Sequence, residues 1–478
     1  MSSLSRRHFV RGAAALAGGT LVSAGPFQSY LAHADGRRPG PHRTYGRLVR
    51  VPDLRDGVVR LELPEGFSYR SFHAAGTPLV AGGPATPARS DGMAAFAGGR
   101  GTYLVVRNHE VNGAVGAFGD PAKAYDAATG GGTTSFRVTK QGEVVDAWVS
   151  LNGTQMNCAG GRTPWGSWLT CEETVNGPDV GNDFTGGDNT LLTQKHGYLF
   201  EVPSSGQSNR KPIRAAGRFA HEAAAVDPAG GAVYLTEDNF DFPSGFYRYT
   251  PPRHPGPVKQ LRDGGVLHML KVVGVDGAEL SVGQPVGATY QVEWVPIADP
   301  DPTFPAGTTN NQALVAVGDQ GRALGAARFS RLEGAYYDDG VVYFVSTQGG
   351  ATATGDVSPA GYGDGRGQVW AYHIASRTLR LVFESPGASK LDLPDNVVTT
   401  RSGALVLCED NAEPNYLRGL TPDGLLFDFA RNAITGQEGD EFAGATFGPD
   451  FHTMFVNIQS SRSLTLAIWG PWRRGPFG

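Results

Sequence analysis

A strand that ends in charge rather than in a turn residue recurs along this chain, and no other feature constrains its fold as much. The fullest copy is WGSWLTCEET, Trp165 to Thr174, where Trp165, Trp168 and Leu169 run directly into Cys171, Glu172 and Glu173. Strands in soluble proteins usually end in Gly, Asn or Pro. Three consecutive potential anions repel one another unless a cation sits among them. GGAVYLTEDN repeats the pattern with Glu237 and Asp238, and SGALVLCEDN repeats it with Glu409 and Asp410. Weaker versions are GTYLVVRNHE, ending in Asn108 and Glu110, then GVVYFVSTQGG and HTMFVNIQS.

A repeating unit surrounds these strands. An acidic or amide residue beside a small one opens each copy: Asp91-Gly92, Asn157-Cys158-Ala159, Glu222-Ala223, Glu333-Gly334, Asp395-Asn396 and Glu441-Phe442-Ala443. About 14–17 residues later the charged strand end follows. TSFRV, GYLFEV, GFYRY, GQVWAY, LLFDF and SLTLAIW then read as third strands of period two. EVVDAWVSL, PIRAAGRF and RTLRLVFES read as fourth strands. Short strands repeated in this way predict an all-β chain, a six-bladed β-propeller with loop insertions over one face. A spacing of about 15 residues is two strands and a turn, so it is a hairpin whose two ends share an edge. That places Glu222 beside Glu237 and Asp238, Asp395 beside Glu409 and Asp410, and Asn157 beside Cys171 and Glu172. Because innermost strands line one channel, the acids should meet at one of its mouths.

The opening SRRHFVRGAAALAGGTLVSAG carries Arg6 and Arg7, Phe9 and a short, mildly apolar run, with Ala32-His33-Ala34 as a cleavage site. Residues 1–34 therefore read as a twin-arginine (Tat) signal peptide, which is too short and too weakly apolar to span a membrane. The Tat export machinery is the implied partner. The expected location is extracellular or in the cell envelope, with no stable membrane association. Residues 35–478 form the single propeller domain, since about 440 residues exceed one ordinary core unless built from repeats. Within it 35–57 reads as loop, and strands begin at VVRLELPEGFSYRSF. About 251–320, containing ADPDPTFPAG, reads as a loop-rich insertion that could form a lid or wall. A monomer is expected.

Composition narrows the function. The net charge of −5 becomes more negative when Arg6, Arg7 and Arg11 leave with the signal, which argues against a nucleic-acid partner. Three cysteines, Cys158, Cys171 and Cys408, cannot form a disulfide scaffold in so long a chain. Asp, Glu and Asn oxygens suit hard cations such as Ca²⁺, and a thiolate in the same site points to a transition metal as well. The bland alternative is that the acids are solvated strand ends or structural Ca²⁺ ligands. Arg331, two residues before Glu333, could neutralise that acid or hold a phosphate by its planar fork.

Together NCAGGRTPWGSWLTCEET, RNHE, FAHEAAAVDP, SRLEGAYY, LPDNVV, CEDN and EFAGATFGPD resemble the PhoX-type alkaline phosphatases, from about Asp91 to Gln459. The resemblance implies a site with two Fe³⁺ and several Ca²⁺ ions, and a small phosphate ester as substrate. It further implies that Cys171 ligates the iron pair with Glu222 and Glu333 close by. Asn108, Glu110, Glu172 and Glu173 would hold Ca²⁺ or orient ligands, and Arg331 would bind phosphate. Glu237, Asp395 and Glu409 complete the expected metal-ligating set, and Arg331, Glu333 and Cys171 the catalytic one. A phosphodiesterase or lactonase on the same fold, or a non-catalytic Ca²⁺-stabilised binding propeller, are the rival readings.

Overall fold

The described residues, 44–253, 260–351 and 360–478 of a computed structural model, are built almost entirely of antiparallel strands. The expected export signal lies outside them. Segments rich in β-branched residues, such as Thr102–His109 and Val341–Ser346, form strands that are buried along most of their length.

These strands hydrogen-bond into five sheets. Ser90–Gly99, Thr102–His109, Gly131–Thr139 and Val144–Thr154 form the first in up-and-down order, and Asn157–Arg162, Ser167–Glu172 and Leu199–Pro203 form the second. The third has nine strands because two hairpin groups fuse. One runs from His221–Val226 to Thr289–Pro296, the other from Leu332–Asp338 to Thr378–Glu384. They join where Thr289, Tyr290 and Gln291 pair with Arg380, Leu379 and Thr378. The fourth sheet begins at Pro394–Thr399 and ends by taking Val59–Pro64 and Leu48–Pro52 from the start of the chain. In the last, Glu441–Phe447, Thr453–Gln459 and Leu464–Trp469 are joined by Ser68–Phe72.

One strand from each hairpin group packs on its counterpart in the next: Ser90–Gly99, Asn157–Arg162, His221–Val226, Leu332–Asp338, Pro394–Thr399 and Glu441–Phe447. The last packs back on the first, so these inner strands close a ring. Their backbones come very near one another. A Cβ on Gly161 would lie 1.7 Å from the carbonyl oxygen of Ala224 in the next inner strand, so only glycine fits there. Apolar side chains fill the spaces between neighbouring groups. Trp472, for example, packs edge-on to Phe67 and Phe447 beside Val406, Phe442 and Met454.

Several sequence expectations change in detail. Region 251–320 is not mainly loop, since it holds the strands Val266–Val272 and Thr289–Pro296 and the helix Asn310–Ala323. That helix starts at a capping box in which Thr309 and Gln312 exchange hydrogen bonds. Its buried stripe is mostly Ala313, Val317, Gly318 and Gly321, too weakly apolar to stand out as a helical period. PIRAAGRF contains only a 3-10 turn at Arg214–Ala216 before Gly217 at φ 110°, because Pro212 has no N–H to give a ladder. LLFDF lies in the fourth strand of its group and YLRGL is the third. Leu48–Pro52, expected as loop, is an edge strand paired with Val59–Pro64.

Candidate functional site

Each inner strand pairs with the strand that follows it, and each carries one extra residue on the inner side. Ser90 pairs with His109 but Met93 with Arg107. Asn157 pairs with Glu172 but Gly160 with Thr170. The same count of three steps against two runs from His221 to Ala224, Leu332 to Ala335, Pro394 to Val397 and Ala443 to Thr446. A bulge of this kind re-aims the side chains it carries. In five of the strands it carries Asp91, Cys158, Glu222, Glu333 and Asp395, and all five line one cavity of about 560 Å³. In the sixth it carries Gly444 and Ala445, and the acid comes from Glu441 at the strand's start.

The residue just beyond the partner strand adds a second tier. Glu110, Glu173, Asp238 and Asp410 reach the same cavity, whereas the residue before each does not. Glu172 accepts main-chain N–H bonds from Gln155, Gly197 and Tyr198 and holds the His196 ring at 2.6 Å. Glu237 accepts from Gly245 N–H, the Tyr247 hydroxyl and the Asn239 amide. Glu409 accepts from the N–H groups of Asp392 and Tyr416 and from Arg418 Nε. Asn108 donates to the carbonyls of Cys158 and Ala159 and accepts from Trp168 Nε1. Expected as metal ligands, these four instead satisfy buried backbone and side-chain hydrogen-bonding groups, which would be costly to leave unpaired.

Cys171 is also displaced from the role expected of it. It sits one rung inside its sheet, where the neighbouring group covers the face, and is packed with Leu169, Leu199 and Leu235. The thiol that reaches the cavity is Cys158, at the bulge of the inner strand. Its Sγ and one oxygen each of Glu173 and Glu222 lie within 4.8 Å of one another, and Glu222, Glu333 and Asp395 form a second such triad. Glu222 belongs to both. Of the residues expected in the site, the fold thus brings together Glu110, Glu173, Glu222, Arg331, Glu333 and Asp395. Asp91, Asp238, Asp410 and Glu441 were expected at the mouth but not as ligands, and Cys158 and Arg89 were not expected there. All but Arg89 belong to a repeat-opening pair or a charged strand end, and for Asp91 and Cys158 the bulge was the missing signal.

Two guanidinium groups reach the cavity, and both come from strained backbone. Arg89 at φ 48° and Arg331 at φ 37° stand immediately before inner strands, as do Met156 at 45° and Leu393 at 51°. A left-handed conformation costs on the order of 1–3 kcal/mol for a non-glycine residue and gathers at functional sites. Arg331 Nη2 donates to Asp238 at 2.8 Å and to Glu333 at 2.7 Å, and Nε donates to Asp238 at 3.2 Å. Its Nη1 makes no hydrogen bond with the described residues. Arg331 was expected to pair with Glu333 or to hold a phosphate; two acids grip it and one edge of its fork is left over.

Ten carboxylates therefore face two guanidinium groups on one lining. Burial, and then the neighbouring carboxylates, push Asp91, Glu173, Glu222, Glu333, Asp395 and Glu441 well above the ordinary carboxylate range. Buried acceptors also lack donors. Gln459 gives its amide N–H to Asp91 at 2.7 Å, leaving Gln459 Oε1 and Asp91 Oδ1 unpaired. Excess buried negative charge, bare oxygen acceptors and one thiol form a donor set that fits multivalent cations.

A family model described as alkaline phosphatase PhoX matches residues 44–147 and 128–461. The chain belongs to that family. The solved structure of Pseudomonas fluorescens PhoX in complex with vanadate, a transition state analogue, superposes with a TM-score of 0.62 at 19% identity, covering 90% of this chain and 98% of that one. A likeness at that identity speaks for the fold. XC5397 from Xanthomonas campestris, a gluconolactonase, is 12% identical with a TM-score of 0.39, over 91% of this chain and all of that one. No curated protein matches the chain.

Beside the cavity, the Glu172–His196–Asp126 cluster ties this PhoX-family chain's loops together. Burial alone would lower the His196 pKa, but the carboxylates of Glu172 and Asp126 outweigh it and raise the imidazole to about 9. A raised cationic pKa contributes stability that is complete below about pH 6.5 and lost as pH rises through about 9. Melting temperature should therefore fall between those values. His196→Gln should flatten that slope while costing on the order of 3 kcal/mol at pH 6 and much less at pH 10. Denaturant melts across pH check this; an equal cost at both ends would show that His196 is neutral in the fold.

Proposed function

We propose that this protein is an exported, metal-dependent phosphomonoesterase. One observation carries the reading: the crowded mouth with its thiol and its half-free arginine, in a chain of an alkaline phosphatase family. Cys158, Glu173 and Glu222 would hold a transition metal, read here as part of an Fe³⁺ pair that extends to Glu333 and Asp395. Asp91, Glu110, Asp410, Glu441 and Gln459 would hold Ca²⁺. Bound there, such ions neutralise the carboxylates and act as Lewis acids toward phosphoryl oxygens.

The chain's own residues supply position. Arg331, fixed by Asp238 and Glu333, offers its remaining Nη1 edge to a phosphoryl oxygen, and Arg89 adds a second cation. The lining has no serine, histidine or lysine among the described residues, and its one hydroxyl, Thr174, accepts from Asn176 N–H. In this reading Cys158 and the carboxylates are taken up by cations, so water is the attacking group and no phosphoserine forms. We read the ring as a six-bladed propeller in which two blades share a sheet. The six bulged inner strands and their closed order of packing support it. Arg6 and Arg7 support export. An Arg6→Lys, Arg7→Lys double variant should leave the protein in the cytoplasmic fraction, and undiminished export of it would end that part of the reading.

An activity test separates the readings. Native protein should hydrolyse 4-nitrophenyl phosphate well ahead of a phosphodiester or a lactone, and lose that activity with chelator. Cys158→Ser should lose metal and activity, whereas Cys171→Ser should keep its metal content. A preferred diester or lactone would replace the monoester assignment, and no turnover of any of them would leave a binding protein.

Arg331→Lys keeps the charge and loses the planar fork. If the free edge of Arg331 meets the phosphoryl group, kcat/KM should fall at least tenfold, about 1.4 kcal/mol, with metal content and melting temperature kept. Wild-type kinetics in this variant would leave Arg331 as a mere partner of Asp238 and Glu333.

A further inference from the structure

The cavity has two chemically different halves. Its buried floor carries most of the acids and Arg331, whereas its outer lining includes Phe184, Phe240, Phe242 and Leu314, with the exposed Asp241 among them. Phe184 is 66% exposed and Phe240 50% exposed, although each ring would be stabilised by burial in a core. Neither is on a loose loop. Phe240 accepts the Tyr362 N–H at 2.6 Å through its carbonyl, and its neighbour Asn239 gives its N–H to Ser244 Oγ at 3.1 Å. Phe184 sits in a turn built on Asp183, which accepts from the N–H groups of Thr185 and Gly187 and from the Asn112 amide. Rigid loops thus hold open aromatic faces at the rim.

The rim continues directly from the floor. The Arg331 guanidinium lies 5.4 Å from the centre of the Phe240 ring. Acceptors stand beside the rings as well. Asn239 Oδ1 and Asn310 Oδ1, on side chains only 1% and 8% exposed, have no donor. The Asn239 amide is oriented by its N–H bond to Glu237 at 2.7 Å, so the oxygen is the atom left bare. An acceptor-only pair beside flat apolar faces suits a flat ring that carries hydrogen-bond donors.

We infer that Phe184 and Phe240 form a leaving-group subsite that selects phosphate monoesters bearing an aromatic ring within reach of the phosphate, nucleoside monophosphates among them. This rests on the phosphatase reading above. The phosphate lies on the floor by Arg331, and the ring stacks against Phe240 and Phe184.

A matched pair of esters tests it on the metal-loaded enzyme. Ethyl phosphate and 2-phenylethyl phosphate are alike at the ester oxygen and differ in the ring. Wild type should favour the phenylethyl ester in kcat/KM. Phe184→Ala and Phe240→Ala should each reduce that preference roughly two- to tenfold, with ethyl phosphate little changed. Phe240→Leu keeps apolar bulk and should lose the preference too, which separates stacking from simple burial. Binding of 2-phenylethylphosphonate against ethylphosphonate reads the same difference without turnover. Hydrolysis of both esters with the preference untouched in every variant overturns the inference alone. Hydrolysis of neither by wild type overturns the phosphatase reading and the inference with it.

Discussion

A carboxylate buried beside other carboxylates is costly to keep ionised, and this protein gathers ten carboxylates, all but Asp241 at least partly buried, around one cavity. The rest of the architecture serves that gathering. In five inner strands one extra residue re-aims an acid or a thiol, and in four hairpins the strand beyond contributes a second acid past its end. Neither tier would converge if the ladder ran regularly, since alternation would send those residues onto sheet faces that neighbouring groups cover. The repulsion is answered in part by Arg331 and Arg89, and the remaining excess is what fits the cup to cations.

The same arrangement divides labour between adjacent residues. In Glu172-Glu173, Glu237-Asp238 and Glu409-Asp410 the first acid satisfies buried donors and the second faces the cavity. Supporting acids hold the hairpin ends still, which is what lets the facing acids keep fixed separations. Arginine placement follows a related logic: a left-handed residue before the strand turns a long cationic side chain back over the acids. Local backbone strain is the means by which the fold delivers positive charge to a place its sheets supply only with negative charge.

Much of this was legible in the residues. The repeat of an acid or amide beside a small residue marked every inner hairpin and a charged strand end marked four of them, and Asp395, Glu222 and Glu333 stood out because they open repeats. Alternation alone could not distinguish Cys158 from Cys171. That choice depends on which strand is innermost and on an extra residue that only pairing reveals. Likewise Glu172 and Glu173 are chemically equivalent in sequence and are separated by the presence of His196 and the Gly197 and Tyr198 N–H groups. The helix Asn310–Ala323 was hidden because glycine and alanine make most of its buried stripe. Fusion of two groups into one nine-stranded sheet rests on three residue pairs, too few to leave a pattern.

The seam that closes the ring gives the molecule a schedule. Phe72 pairs with Thr465 and Ser68 with Trp469, so an early strand waits for one of the last to be made. At about 5–20 residues per second, a ribosome needs on the order of tens of seconds to span that interval. Throughout it, Ser68–Phe72 is an edge with no partner, open to pairing with other chains. A chain cut short before Leu464 therefore keeps that edge unpaired for good. A chain cut before Glu441 loses more, because the inner strand that packs on Ser90–Gly99 goes with it, and Glu441 and Gln459 leave the mouth.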